Sequence, residues 1–458
     1  MKLAVLGGGG VRVPLFVRGV LSRSPVFDEI VLLEPDARRR ETIGRLAAEL
    51  AGPLGQPGVV RVTPDEAEAF TDADFVFSAI RVGGDEGRVI DEDVALRRGL
   101  VGQETTGPGG CAMALRTSPV VLSYCELLAK HAPRAVLINF TNPAGLITQA
   151  LSQHATVRAV GVCDTPSGAV DRLAQFLGAD RAQVSYSYSG LNHLGWISSF
   201  TVGGEERIGT LLARYSELQR FDHRFAPFDP AMVRMLGAIP TEYLYYFYEP
   251  QRYVDAVARA GASRGVSVRR LNAELMAGLA KAFEAGDVHD AWSAYTTLMG
   301  VRRDSYMRAD TDGERMPEPP GRPRAGRVTP ADASGYERIA LQVIGGLTGR
   351  QAGRVIINTR NGGTLGFLDP DDVIEAPAHI DGGGIAPLAA GELPGSVQGL
   401  ITRVKEYERQ VVTAAVTGDA SLAALALALH PLVPGVTVAK EMMSEYRERH
   451  GPHLAYLR

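Results

Sequence analysis

The chain has 458 residues, 45% hydrophobic and 22% charged, with a formal net charge of -4. That length suggests about two or three domains with large cores, and a near-balanced charge without a basic block excludes the electrostatic footprint of a nucleic-acid binder. Three cysteines without a close pairing pattern fit a reducing compartment, and the opening Met1-Lys2-Leu3-Ala4-Val5-Leu6 is too short for a signal segment or membrane span, so a cytoplasmic location is expected.

Residues 3–6 predict a buried strand running into Gly7, Gly8, Gly9 and Gly10, followed by an apolar helical segment over 13–22. Strand, glycine turn and helix N-terminus together cradle a pyrophosphate, because backbone amides approach the anion closely. A second strand over 30–33 ends in Glu34. It lies about 20 residues past the glycines, where an acid accepts hydrogen bonds from an adenosine ribose and repels a 2′-phosphate. The four glycines and Glu34 are therefore candidate NAD-binding residues, with a plain tight turn as the competing reading. Further strands over 59–62, 75–79 and 135–138, with helices over 38–50 and 119–131, predict a doubly wound, mainly parallel sheet. Residues 81–88 and 102–110 are rich in glycine and polar side chains, and read as loops whose backbone lies against a ligand.

The chemistry concentrates in Asn139-Phe140-Thr141-Asn142-Pro143, Gly161-Val162-Cys163-Asp164-Thr165-Pro166 and Gly190-Leu191-Asn192-His193-Leu194. Each follows a strand-like run (135–138, 157–162, 184–188), and open α/β sheets bind ligands at strand ends. A free cysteine is by default a small buried hydrophobe, and a lone histidine a satisfied core residue. The pairing of Cys163 with His193 points instead to a Zn, Mn or Fe site with coordination positions open to substrate oxygens.

Beyond it, the pattern predicts a helix over 169–177, strands over 184–188 and 197–202, and a tyrosine-rich stretch over 239–248 in which Tyr245, Tyr246 and Tyr248 read as packing. Helical residues then run to 283, carrying Arg264, Arg269 and Arg270. Residues 308–330, rich in Pro, Gly, Asp and Arg, read as a surface loop or lid. A helix over 335–347, a strand over 355–358, a turn over 359–363 and helices over 398–417 and 422–429 complete the chain.

Together with the glycine strand-turn, Arg81-Val82-Gly83-Gly84, Gly102-Gln103-Glu104-Thr105, Asn139-Phe140-Thr141-Asn142-Pro143, Cys163-Asp164, Leu191-Asn192-His193, Pro240-Thr241-Glu242-Tyr243-Leu244, Asn358-Thr359-Arg360-Asn361 and His430-Pro431-Leu432 form an ordered set. In this set the sequence resembles glycoside hydrolase family 4, the NAD- and Mn-dependent 6-phospho-glycosidases, over nearly its whole length. The resemblance implies an α/β fold: an N-terminal Rossmann-like doubly wound parallel sheet (residues 1–166) and a C-terminal α+β substrate-binding and oligomerisation domain (167–458), as in lactate and malate dehydrogenases. It implies NAD and a divalent metal, Mn, as cofactors. Cys163 and His193 would hold the metal, with Tyr243 as base and Asp164 as acid. Arg81, Arg88, Glu104, Asn142 and Arg264 would bind substrate, Asn142 at hydroxyls and Arg264 at a phosphate. The implied partner is a small 6-phosphorylated glycoside, in a homodimer or homotetramer that binds neither nucleic acid nor membrane.

Family members of this kind are an exception to two-carboxylate glycoside hydrolysis. The implied route is oxidation of C3 by NAD, removal of the C2 proton, elimination of the aglycone, water addition and re-reduction. Tyr243 would need its value to fall from about 10 towards neutrality, which a nearby cation can drive. Two departures from the family pattern stand out. Gly10 and Val11 occupy positions usually held by serine or threonine, and Asp164 after the cysteine is more like α-specific members. The Gly-Gly-Gly-Gly-Val-Arg-Val-Pro opening and Tyr-Leu-Tyr-Tyr segment look more like 6-phospho-β-glucosidases, so β specificity is expected, with 6-phospho-α-glucosidase or another family 4 glycosidase as alternatives. From other classes, an NAD-linked 2-hydroxy-acid dehydrogenase and a non-catalytic binding protein are the rivals.

Overall fold

Six short apolar segments set the architecture: β1 (Lys2–Leu6), β2 (Glu29–Leu33), β3 (Val60–Thr63), β4 (Phe75–Ser78), β5 (Val136–Asn139) and β6 (Arg158–Gly161). Most of their side chains are buried on both faces, the pattern that parallel strands covered by helices require. They pair in parallel in the order β3-β2-β1-β4-β5-β6, which is the doubly wound dinucleotide-fold order. The computed structural model describes residues 1–23, 26–307, 311 and 335–458. Apart from Thr311, the 308–330 stretch expected to be a loop or lid lies outside the described residues.

The helix Val13–Arg23 shows how sequence dictates packing. Val13, Phe16, Val17, Val20 and Leu21 recur at helical spacing and are all buried against the strands, with the Phe16 ring stacked on Phe77 at 4.1 Å. The helix expected over 38–50 forms, but its middle is a π-turn at Arg40–Gly44 between short α segments.

The expectation of loops over 81–88 and 102–110 is corrected in part. Helices occupy Gly84–Leu96 and Gly107–His131. Glycine there serves close approach: a Cβ on Gly109 would lie 2.4 Å from the Gln103 carbonyl oxygen, and one on Gly110 2.4 Å from that of Thr105. Pro108, in the first turn, is compatible with this start because its missing N–H would be unpaired anyway.

The sheet does not stop at β6. The hairpin β7 (Val184–Leu191) and β8 (Leu194–Val202), the short β9 (Glu205–Glu206) and β10 (Ile239–Pro240), and the hairpin β11 (Gly353–Arg360) and β12 (Val373–Asp381) with β13 (Gly384–Pro387) extend it to 13 strands. These added strands are antiparallel. Single rungs stitch them on: Asn358 opposite Gly161, and Glu375 opposite Gly190. The strands Val373–Asp381 and Gly384–Pro387 and the helices Val288–Asp304 and Val436–His450 were not anticipated from the pattern. The helix Gly335–Leu347 has the bounds expected of it. Among the described residues no helix is long and apolar enough to cross a membrane.

The largest core lies between the antiparallel strands and the C-terminal helices Gly395–Thr417, Ala420–Leu429 and Val436–His450. His430 sits within it, its Nδ1 accepting from the Leu432 N–H at 3.1 Å and its ring edge-on to Tyr407 at 4.7 Å. Burial holds His430 down at about 3. The folded state therefore leaves it neutral while the unfolded chain protonates it below about pH 6.5, so its contribution to stability is lost as pH falls from about 6.5 towards 3. Buried carboxyls such as Glu375, held up at about 7 by burial, act with the opposite sign in part of this window. A difference measurement isolates the histidine. His430→Asn should reduce the loss of unfolding free energy between pH 7 and 5 by roughly 2 kcal/mol, read from urea titrations of both proteins. Parallel pH profiles would reject the assignment.

Candidate active site

The carboxyl ends of β1, β4, β5 and β6 open onto one cavity of about 1000 Å³. It lies where the strand order reverses between β1 and β4, the position at which such sheets bind ligands. All the candidate residues named from the sequence line it except Gly8 and Gly9.

Those two glycines lie beneath the loop and explain its shape. A Cβ on Gly8 would stand 2.6 Å from the Leu32 side chain, and one on Gly9 2.7 Å from a Glu34 oxygen. Gly7 adopts φ +82, with no room for a Cβ against the Ala79 carbonyl at 2.9 Å. The loop is thereby pressed onto β2 and β4 and leads directly into the helix Val13–Arg23. Glu34 accepts hydrogen bonds from the Gly9 N–H at 2.9 Å and the Asp36 N–H at 3.1 Å, which fixes its carboxylate at the cavity edge. A side-chain-free cradle ahead of a helix N-terminus, with an acid beside it, fits a dinucleotide.

Guanidinium groups also crowd the cavity lining. Glu104 bridges Arg81 at 2.6 Å and Arg88 at 3.1 Å, and Arg88 also pairs with Glu92 at 2.8 Å. Burial opposes the charge of Glu104, but Arg81, Arg88 and then Arg302 outweigh it and hold the carboxylate at about 2. Arg302 is pulled down to about 9 by burial and by the like charges of Arg12, Arg88 and Arg264. Arg264 opens the helix Arg264–Glu284 and donates to the Ser305 hydroxyl at 2.7 Å, the Ser305 carbonyl at 3.1 Å and the Arg302 carbonyl at 2.8 Å. It lines the cavity while tethering the segment that carries Arg302.

Cys163 follows β6 by two residues and is buried. His193 follows a strand, as expected of it, and sits in the two-residue turn of the antiparallel β7–β8 hairpin, with φ +62. Its ring lies flat on Tyr243, centroids 3.6 Å apart and planes within 1°, and its Nδ1 is 3.0 Å from the Thr105 hydroxyl. Tyr243, in the single turn Glu242–Leu244, lines the same cavity as Cys163. Tyr243 is hydrogen-bonded to Tyr306, whose hydroxyl donates to Glu242 at 2.8 Å. Burial, then Glu242, pushes Tyr243 well above its ordinary value. Burial likewise raises Cys163, with Glu375 and Asp164 adding to the effect, and raises Asp164 against the opposing charges of Arg12 and Arg224. His193 is held down at about 3 by burial, against the pull of Glu104, and so presents a neutral imidazole.

A thiol and a neutral imidazole are a borderline-soft donor pair suited to a divalent transition metal. Among the described residues no group of three or more His, Cys, Asp or Glu is placed to hold a metal. Residues 2–179 match the sequence model of family 4 glycosyl hydrolases, and residues 188–433 match the model of that family's C-terminal domain. The chain belongs to glycosyl hydrolase family 4.

Within family 4 it is 29% identical to the 6-phospho-beta-glucosidase BglT of Thermotoga maritima, covering 98% of each chain. It is 27% identical to 6-phospho-alpha-glucosidase 1 of Lacticaseibacillus paracasei, covering 97% of this chain and 96% of that one. A crystal structure of the Thermotoga maritima 6-phospho-beta-glucosidase, solved with manganese, NAD+ and glucose-6-phosphate, superposes with a TM-score of 0.79 at 27% identity over 98% of both chains.

Sequence reasoning missed several neighbours of this family 4 site. Glu375, 1% exposed, accepts from the Tyr188 hydroxyl at 2.5 Å, Asn192 Nδ2 at 3.0 Å and Asn358 Nδ2 at 3.2 Å. It thus braces the turn carrying His193, and a lone acid inside the apolar run Val373-Ile374-Glu375-Ala376 was the available signal. Tyr306, Tyr336 and Arg302 had no local signal. The packing reading of the tyrosine cluster holds for Tyr245 and Tyr246, which are buried, and Tyr248 packs at the edge of the same core.

Proposed function

We propose that this family 4 enzyme hydrolyses 6-phospho-glucosides, with β the favoured anomer. The observation that carries the reading is the meeting, in one cavity, of the glycine cradle and Glu34, the Cys163, His193 and Tyr243 group, and the guanidinium wall. Bound at these positions, NAD+ and a divalent cation such as Mn2+ would supply a reversible hydride acceptor for C3 of the sugar and a Lewis acid for its vicinal oxygens.

The chain's own residues do the rest. Gly7, Gly8, Gly9 and Gly10 with Glu34 seat the dinucleotide, and Cys163 and His193 hold the cation. Tyr243 takes the C2 proton once C3 is a ketone, since a hydrogen beside a carbonyl is acidic. Buried as it is, that phenol stays protonated until positive charge is brought near it, which a cation held by Cys163 and His193 would supply. Asp164, whose carboxyl burial raises above its ordinary value against the charges of Arg12 and Arg224, serves as the acid for the departing glycosidic oxygen. Asn142 meets sugar hydroxyls. Arg81, Arg88 and Glu104 shape the substrate wall, and Arg264 with Arg302 faces the 6-phosphate, which matches guanidinium geometry and offsets the repulsion among these cations.

The same proposal assigns residues 1–166 to the dinucleotide and 167–458 to substrate and self-association. An assembly of two or four copies is supported by Val416, Leu425, Leu429 and Val436, large apolar side chains exposed on the C-terminal helices. It includes the cytoplasm, whose reducing poise keeps thiols such as Cys163 free. The α anomer is the second reading, favoured by Asp164 directly after Cys163.

A panel of nitrophenyl α- and β-glucosides, with and without a 6-phosphate, tests the proposal in the presence of NAD+ and Mn2+. Cleavage should be confined to phosphorylated substrates, require both additions and leave no net NADH. Steady NADH accumulation without cleavage would instead identify a dehydrogenase.

A further inference from the structure

We propose that Gln103 and Thr105 are positioning residues that fix the tautomer of His193, placing its ring hydrogen on Nδ1 and leaving the lone pair on Nε2. The inference rests on the metal-site reading above, but it is argued from hydrogen-bond direction alone.

The argument starts at two backbone groups that can only donate. The N–H of Thr105 and the N–H of Thr106 both point at one side-chain atom of Gln103, each at 2.7 Å. An amide nitrogen there would set donor against donor, so the atom is the carbonyl oxygen Oε1 and the amide orientation is settled by its surroundings. The Thr105 hydroxyl lies 2.9 Å from the same oxygen. Since Oε1 cannot donate, the single hydroxyl hydrogen of Thr105 is committed to it.

The Thr105 oxygen is also 3.0 Å from His193 Nδ1. With its only hydrogen used, it can do nothing towards the imidazole but accept. His193 Nδ1 must therefore carry a hydrogen, and in the neutral imidazole, the form that binds a metal, the lone pair is then on Nε2. Rotation cannot exchange the two nitrogens cheaply. The ring is stacked on Tyr243 at 3.6 Å, its backbone is fixed in a two-residue turn, and Gln103, Thr105 and His193 are buried. Neutral histidine in water prefers the opposite tautomer, with hydrogen on Nε2, so the loop before the helix Gly107–His131 inverts a natural preference. It does so in advance of any ligand, which makes the imidazole ready to bind a cation through Nε2.

Nuclear magnetic resonance of the metal-free enzyme, labelled with 15N at histidine, reads this directly. The His193 signals, assigned by their loss in His193→Gln, should show a protonated Nδ1 and an unprotonated Nε2. Thr105→Val should lose that pattern and bind Mn2+ about 10–100-fold more weakly by electron paramagnetic resonance titration, the usual range for losing the partner behind a metal-bound histidine. Thr105→Ser, which restores the hydroxyl, should recover both. An Nε2-protonated His193 in the unsubstituted enzyme, or an unchanged pattern in Thr105→Val, overturns the inference. Mn2+ affinity unaffected by His193→Gln would overturn the metal-site reading instead, while the tautomer measurement would still judge this one.

Discussion

Replacing Tyr243 with phenylalanine should lower kcat by roughly 10²-fold or more, the range expected for loss of a general base. The substitution is well suited to the question because it keeps the ring. The flat stack on His193 at 3.6 Å and the contacts with Tyr246 survive, so the neighbouring imidazole stays in place and NAD+ and Mn2+ affinity should change little. What disappears is the oxygen hydrogen-bonded to Tyr306. A substrate deuterated at C2 adds an independent readout. The unsubstituted enzyme should exchange the label with solvent during turnover, and Tyr243→Phe should not. Near-full activity in the variant, or full retention of deuterium in the normal product, would exclude the assigned role.

Cys163→Ser should weaken Mn2+ binding and turnover together, by roughly 10²-fold at least, since losing only the partner behind a ligand already costs about 10–100-fold. Serine is nearly isosteric, so the buried position two residues past β6 should tolerate it. The difference is chemical. A hydroxyl is a poor ligand for a borderline-soft divalent ion, whereas a thiol gives up its proton to one. Burial beside Glu375 and Asp164 keeps the thiol protonated in the empty site, so binding should release a proton that the serine variant does not release. Calorimetry of Mn2+ binding in buffers of different ionisation enthalpy measures that release. Equal affinity and equal proton release in both proteins would remove Cys163 from the ligand set.

The parts of this site legible in the sequence are those whose meaning is local. Gly7 to Gly10 and Glu34 belong to one strand-turn-helix unit and its next strand, so their spacing alone carries the geometry. Cys163 and His193 were visible as polar residues after apolar runs, although the hairpin turn that delivers His193 looks, from sequence, like any other strand end. Glycine misled where it serves contact instead of turning. Gly109 and Gly110 lie inside a helix because carbonyl oxygens approach them at 2.4 Å of where a Cβ would be, and no one-dimensional pattern separates that use from a loop. Illegible altogether were partners brought in from afar. Tyr306 reaches Glu242 across 64 positions and Thr105 reaches His193 across 88, so their pairing is a product of topology.

The two rungs that join β6 to β11 and β12 to β7 carry a consequence for anyone seeking a hardier version of this enzyme. Asn358 and Glu375 occupy those rungs, and their side chains also bond to each other beneath the turn bearing His193. Heat tolerance and catalysis therefore share a seam. Loosening it with a methyl group at Gly161, where Thr148 Oγ1 stands 2.2 Å from the added carbon, would blunt the active centre without touching any residue within it. Directed evolution should find its permissive positions elsewhere, on the outer helices.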